Sequence, residues 1–285
     1  MMNLTVYGQT DVGLVRTSNE DALVIADLTG GNLIQGQIAR FEVGARGVLL
    51  AVSDGMGGER AGEVASALVV ESLVRSMANQ PSQHPQALVE AAVERANRVV
   101  WRAAREPGHE KMGATLTALF VEGTSMHIAE VGDSRAYLLR GGRLFQLTHD
   151  QSYVQALVDA GAMTREEAED NPMKNVILQA MGSKPAVTVA LGKLALRQRD
   201  CFLICSDGLS NMVSEEEMKR AILTSSRMDV ACSSLIELAK KHGGEDNITV
   251  IIGGVSGDLP PLVAGEDIST TLEIMKEFRA LAPQS

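Results

Sequence analysis

Residues 49–58 read LLAVSDGMGG, and no other stretch constrains the fold as strongly. Its apolar run shows no alternation and leaves through a Gly-rich turn, the pattern of a buried core strand that delivers one carboxylate, Asp54, to the rim of a sheet. The device recurs at 201–208 (CFLICSDG), where a second apolar strand presents Asp207. Asp133 follows the run 126–132 (MHIAEVG), and Asp246 precedes 248–255 (ITVIIGGV). Four carboxylates at strand ends point to a cluster, and clustered anions need cations.

The rest of the chain places these ends on a recognisable scaffold. Residues 3–10 and 22–26 have the β-branched and apolar content of strands. Between them the loop 16–21 (RTSNED) sets Arg16 ahead of the paired acids Glu20 and Asp21; alone it reads as a solvated polar loop. Residues 27–47 read as an exposed Gly-rich connection, without the Gly-Lys-Ser/Thr ending of a nucleotide loop. Helical spacing follows over 61–77 and 85–105, then strands over 113–122 and 125–131, then a hairpin over 135–147 with its turn at Gly141-Gly142. Helices are predicted over 152–162, 164–170, 214–224 and 229–242, with capping boxes at Thr164/Glu167 and Ser214/Glu217 and a stop at Gly243-Gly244. Past Ser256, Pro260-Pro261 breaks the pattern, and Ile268, Leu272, Met275 and Phe278 fall on one face of a predicted last helix that packs on the domain. Antiparallel strand runs interrupted by pairs of one-sided helices predict an α+β fold, helices layered over a sandwich of sheets. The expected division is one large domain over 1–256, with a flap at about 152–176, and a C-terminal linker and amphipathic helix over 257–285.

Composition narrows the function classes. A net charge of -10 argues against a nucleic-acid partner, which needs a basic face to displace counterions. Three cysteines make no disulfide framework, and Cys201 and Cys205 within one strand stand ~13 Å apart at ~3.3 Å per residue, too far to bridge. No apolar run approaches the ~20 residues of a membrane span, and the N-terminus lacks a basic start followed by an apolar core. The expected compartment is a reducing cytoplasm.

Carboxylates packed together without cations repel and raise one another's pKa, so the cluster makes sense as a site for hard metal ions such as Mg²⁺ or Mn²⁺. Zinc usually recruits His or Cys, so a set made of Asp and Glu favours it less. Two ions sharing a carboxylate can acidify a bridging water and hold it in line with a phosphorus atom, and Arg16 can hold a phosphate with its fork of donors. Each acid taken singly is also explained as a turn former, but the joint pattern exceeds what turn chemistry accounts for.

The ordered segments RTSNED (16–21), DGMGG (54–58), GAT (113–115), VGDSRA (131–136), Ser206-Asp207-Gly208 and EDNI (245–248) resemble the motifs of the metal-dependent protein Ser/Thr phosphatases, type 2C, in their compact bacterial form. The resemblance spans about residues 5–255. It implies a four-layer α-β-β-α sandwich, flanked on both faces by helix pairs, with a two-metal centre at one end. It further implies that Asp54 bridges both ions, that Gly55 lends its carbonyl, and that Asp207 and Asp246 complete one shell. Glu20 and Asp21 act in or just behind the shell through water. Asp133 with Asp207 matches a third-metal position, and Arg16 the phosphate-binding arginine. The chain departs from the family where animal members carry a His two residues after the bridging Asp, here Met56, and where many bacterial members carry one after the glycines, here Glu59. This leaves the leaving-group acid unassigned among water, Glu59 and no side chain; His149 reads as a solvated loop residue. A cysteine-based mechanism is excluded, because none of Cys201, Cys205 and Cys232 precedes an Arg at the required spacing.

The expected function is therefore hydrolysis of phosphoserine and phosphothreonine on proteins by metal-activated water, with Mn²⁺ or Mg²⁺ as cofactor. The expected partners are phosphorylated proteins and a Ser/Thr kinase whose products this monomer reverses, with no nucleic acid and no membrane. Two alternatives remain: a catalytically silent binding module on the same scaffold, which predicts a lost ligand, and a phosphatase for a small metabolite.

Overall fold

A computed structural model describes residues 1–34, 36–58, 61–78, 84–109, 111–263 and 265–280. Along these residues run β1 (Met2–Asp11), β2 (Asp21–Asp27), β3 (Asn32–Leu33), β4 (Ala39–Glu42), β5 (Val48–Met56), α1 (Ala61–Ala78), α2 (Pro85–Ala103), β6 (Gly113–Ala114), β7 (Leu116–Glu122) and β8 (Ser125–Val131). There follow β9 (Arg135–Arg140), β10 (Arg143–Gln146), α3 (Tyr153–Asp159), α4 (Arg165–Glu169), β11 (Ala190–Ala195), β12 (Cys201–Cys205), α5 (Asp207–Ser210), α6 (Glu215–Thr224), α7 (Met228–Lys241), β13 (Ile248–Gly257) and β14 (Leu272–Lys276).

The unbroken apolar run of β5 is explained by its two covered faces. Leu49 and Ala51 pack beneath α1 and α2, while Val48, Leu50 and Val52 turn into the space between two sheets. One sheet has the order β10-β9-β12-β13-β1-β4; the other runs β14-β11-β8-β7-β5-β2-β3, with β6 paired to β5. All their pairings are antiparallel. On α1 the stripe Ala65, Val69, Leu73 and Met77 is buried, and α2 buries Val89, Val93, Ala96 and Val100. On the outer face of the other sheet α7 buries Cys232, Leu235, Ile236 and Ala239. The result is the predicted four-layer sandwich. Both capping boxes form, at Thr164/Glu167 and Ser214/Glu217.

Two segments depart from the sequence reading. Residues 27–47 are more than an exposed connection: Leu28 and Ala39 are buried, and β4 pairs with β1 to form a sheet edge. The predicted last helix is also not formed. Ile268–Thr270 makes a single 3-10 turn and β14 pairs with β11, Leu194 opposite Leu272 and Gly192 opposite Ile274. The spacing of Ile268, Leu272 and Met275 suits a helix, but so short a helix is marginal in water, whereas β11 offers an open row of backbone groups. Ile274 and Met275 face outward, so no continuous apolar stripe is buried.

A buried ionic network fixes that segment in its extended form. Arg140 donates from Nε and Nη2 to the two carboxylate oxygens of Asp200 (2.8 and 2.6 Å) and from Nη1 to Thr271 Oγ1 (2.6 Å). Arg197 forms a fork on Glu266 just upstream. Arg140 and Asp200 are both almost fully buried, so removing one partner strands the other's charge. Asp200→Ala is expected to lower unfolding free energy by about 3–5 kcal/mol in urea titrations.

His127 on β8 is also buried, with neither ring nitrogen hydrogen-bonded, against Phe120. Burial, assisted by the Lys193 charge, pulls its pKa from 6.5 to about 4. The unfolded chain therefore takes up a proton that the folded one refuses. Stability is expected to fall as pH drops from about 6.5 to about 4, by up to about 1.4 kcal/mol per pH unit from this ring. His127→Phe should remove that part of the fall when urea midpoints are compared at pH 7 and pH 5.

Candidate metal centre

The site forms where strand ends from both sheets meet. Asp21 opens β2 directly opposite Asp54 on β5, their Cα atoms register partners. From the other sheet, Ser206 Oγ at the end of β12 and Thr249 Oγ1 on β13 donate to Asp21 Oδ2 at 2.8 and 2.6 Å. Asp207 is the first residue of α5, and its Oδ2 accepts from Asn211 Nδ2 at 3.1 Å. Asp54 and Asp207 stand within electrostatic reach of each other, and the Asp207 charge raises the Asp54 pKa. Asp133, buried in the turn between β8 and β9, lies within electrostatic reach of both. Asp246 stands just before β13, its Oδ2 accepting from Arg16 Nη2 at 2.7 Å and its Oδ1 from the Asn247 backbone N–H at 2.8 Å.

The Asp-Gly pairs are close-approach devices rather than turns. β5 continues through Gly55 and Met56, which pair with Ala114 and Gly113, and the turn comes later. A Cβ on Gly55 would stand 2.1 Å from the Gly62 carbonyl oxygen, and one on Gly208 would stand 2.0 Å from that of Asn247. Backbone therefore packs on backbone beside both aspartates, which only glycine permits.

The RTSNED loop is held by a residue of the EDNI segment to which the sequence assigns no role of its own. Asn247 accepts the Glu20 N–H at 2.7 Å and donates to the carbonyls of Val12 and Ser18 at 3.0 and 2.9 Å. Glu20 in turn gives its carbonyl to the Gly55 N–H and to Ser66 Oγ, while its carboxylate faces Arg16 and Asp246. Thr115 of the GAT segment clamps the Asp54 backbone from both sides: its N–H donates to the Asp54 carbonyl, and its Oγ1 accepts the Asp54 N–H. Ser206, Asn247 and Thr249 lie within three residues of the motif acids Asp207 and Asp246, and Thr115 closes the GAT segment; these are the signals in the sequence that mark them.

Electrostatics sets the chemistry. Burial and then the Asp21, Asp207 and Asp133 charges push Asp54 well above the usual carboxylate range. Asp133 is raised by burial and by Asp207 and Asp150. Burial also lifts Asp21 to about 7, against the two hydroxyl hydrogen bonds that favour its anion. Asp21 Oδ1 and Asp207 Oδ1 are enclosed without a hydrogen-bond partner. Among the described residues, no three His, Cys, Asp or Glu side chains already stand as a metal shell. Oxygen-only donors, enclosed unpartnered carboxylate oxygens and mutual repulsion nevertheless suit hard divalent cations.

The structure thus brings Asp21, Asp54, Asp133, Asp207 and Asp246 together, with Gly55, Glu20 and Arg16 at their edge. His149 lies apart, exposed and bonded to Asp159 on α3 at 2.7 Å, as the sequence reading has it. Met56 brings no titratable group, and Glu59 lies outside the described residues.

A family model described as protein phosphatase 2C matches residues 28–236. The serine/threonine protein phosphatase PstP of Mycobacterium tuberculosis is 39% identical over 268 residues, covering 92% of this chain and 48% of that protein. The chain thus spans about half the length of that relative. Serine/threonine phosphatase stp of Listeria monocytogenes is 35% identical over 249 residues, covering 86% of this chain and 93% of that one. Among solved structures, the catalytic domain of PstP in complex with two manganese ions matches with a TM-score of 0.75 at 37% identity, over 90% of this chain and 100% of the other. Sequence and fold agree, and the chain belongs to the protein phosphatase 2C family.

Proposed function

We propose that the chain is a protein phosphatase that hydrolyses phosphoserine and phosphothreonine with water activated at a two-metal carboxylate centre. The observation that carries this reading is the convergence of five aspartates from both sheets beside one arginine. The relatives' names support the substrate class, and the manganese in the PstP structure supports the choice of ion. Mn²⁺ or Mg²⁺ would be held by Asp54 between two ions and by the Gly55 carbonyl, Asp207 and Asp246, with Glu20 and Asp21 acting through water. Asp133 with Asp207 would serve a third ion.

When bound, such ions polarise phosphoryl oxygens and acidify water at neutral pH. The chain's own groups do the positioning. Thr115 holds the Asp54 backbone, and the Ser206 and Thr249 hydroxyls hold Asp21. Arg16 is half-exposed on Asp246 and can turn its fork of donors to a phosphoryl group. Residues 152–176 form the flap that governs access. In the same proposal the chain works as a monomer in the cytoplasm, in signalling, reversing a partner Ser/Thr kinase. Among the described residues no helix is long and apolar enough to cross a membrane.

The test is phosphate release from a phosphothreonine peptide by chelator-stripped protein, with Mn²⁺, Mg²⁺ or Zn²⁺ added back. Restoration by Mn²⁺ or Mg²⁺ is expected; no release with any metal, in protein whose circular dichroism is native, would overturn the reading. Asp54→Asn should lower turnover at least about a thousandfold while the fold survives. Arg16→Ala should lower kcat/KM by about ten- to a hundredfold, the worth of a charged hydrogen-bond pair.

A further inference from the structure

Along α2 and the turn that ends it stand four arginines, Arg95, Arg98, Arg102 and Arg105, at spacings of three, four and three residues. That is the period of one helix face. All four are exposed, while Val89, Val93, Ala96 and Val100 turn the opposite side of the helix into the core. The chain carries a net charge of -10, so this cationic face runs against the charge of the molecule around it. The acids of the same stretch do not cancel it. Among the described residues from 85 to 109 they are Glu90, Glu94 and Glu106. Glu90 is taken by Lys276 of β14 at 2.5 Å, Glu94 lies 3.9 Å from Arg98, and Glu106 follows the end of the helix. The helix dipole favours cations in the last turn, which accounts for Arg102 and Arg105 but not for Arg95 and Arg98.

Part of the face is already in place for a partner. The Arg105 guanidinium lies over the Trp101 ring, 3.2 Å from its centroid, and its Nη1 donates to the Trp101 carbonyl at 2.7 Å. A guanidinium held this way loses little freedom on binding. Among the described residues the side chains of Arg95 and Arg102 have no ion pair or hydrogen bond of their own. Asn97 donates to the Lys184 carbonyl at 3.1 Å, which brings a further exposed cation beside the helix. The stripe also ends at the rim of the metal centre. Successive turns lead out of α2, from Ala103 to Glu106, Glu106 to His109 and His109 to Met112. Gly113 and Ala114 then pair with Met56 and Gly55, and Gly57 packs on the backbone of Lys111 and Met112. The C-terminal end of α2 therefore adjoins the segment that bears Asp54, with Arg95 at the far end of the stripe.

From Arg95 to Arg105 the stripe is about 15 Å long at ~1.5 Å per residue, and one helix wide. An extended peptide of about five residues spans it at ~3.3 Å per residue. The planar forks of arginine match carboxylates in particular. A long polyanion or a charged bilayer would reach past the stripe onto a molecule of net charge -10 and be repelled there, whereas a short acidic segment is not. We propose that this face of α2 is a docking surface for a short Asp/Glu-rich segment of a protein partner. That the partner is the phosphorylated substrate itself rests on the phosphatase reading and on the place where the stripe ends. Docking of the segment does not depend on that reading.

The probe is a fluorescein-labelled peptide of alternating Asp and Glu, titrated with the full chain and followed by anisotropy, with its Asn/Gln counterpart as control. Saturable binding of the acidic peptide is expected, weakening as salt rises, with the control at least about tenfold weaker. Arg95→Glu combined with Arg102→Glu, at exposed positions that bury nothing, should weaken the acidic peptide at least about tenfold while circular dichroism stays native. No saturable binding, or equal binding by that double variant, would overturn the proposal. Phosphatidylserine vesicles or oligothymidine bound more tightly than the peptide would overturn the class of partner. For the substrate assignment, a phosphothreonine peptide that carries the acidic tract should show KM raised at least about threefold in the double variant with kcat unchanged. Turnover of p-nitrophenyl phosphate, which has no tract, should be equal in both proteins. An unmoved KM would overturn the assignment of the partner as substrate. Loss of p-nitrophenyl phosphate turnover in the unaltered chain would instead overturn the phosphatase reading, and the peptide titration would still decide the docking surface.

Discussion

Two hydroxyls of one sheet reach a carboxylate of the other at Asp21, and the arrangement of the molecule's rim follows from that contact. Ser206 and Thr249 belong to β12, β13 and the turn after them, while Asp21 begins β2. The seam between the sheets is apolar along its length, with Leu4, Ile25, Leu50, Phe202 and Ile251 interleaved. Apolar packing sets the spacing of the sheets without fixing how their ends align. Directional hydrogen bonds at the rim supply that alignment, and they do so around a carboxyl group whose desolvation opposes ionisation. The sandwich thus provides the rigidity that holds like charges together, and the hydroxyls make the arrangement specific.

The same logic explains which features were legible in the sequence. Asp54, Asp133, Asp207 and Asp246 could be read because each ends or begins an apolar run, so that a local pattern predicts where the side chain emerges. Asn247 could not, since its value lies in holding the loop residues Val12, Ser18 and Glu20, more than two hundred residues away in the chain. The glycines after Asp54 and Asp207 were visible as glycines, but local preference suggests turns there. What requires them is a carbonyl from a distant segment passing within contact distance.

The helices are legible where one face is buried, as in α1 and α7, and where a capping box marks the start, as in α6. The C-terminal segment misleads because four apolar residues at spacings of four, three and three fit a helix, while the deciding partners are Arg140, Asp200 and β11. Residues 27–47 were misread for a similar reason: β4 is short and polar, and only the presence of β1 beside it makes it a strand.

The register of β1 carries a consequence for synthesis. Met2 pairs with Gly257 and Asp11 with Ile248, so β1 finds its main partner more than two hundred residues later in the chain. At about 5–20 residues per second, that partner emerges roughly ten to fifty seconds after β1. In the interval only β4, through Ala39–Glu42, is near enough in the chain to shelter one edge of the strand. The nascent chain must therefore carry a partly bare apolar strand, and closure of the six-stranded sheet waits on a long-range pairing that is intrinsically slow.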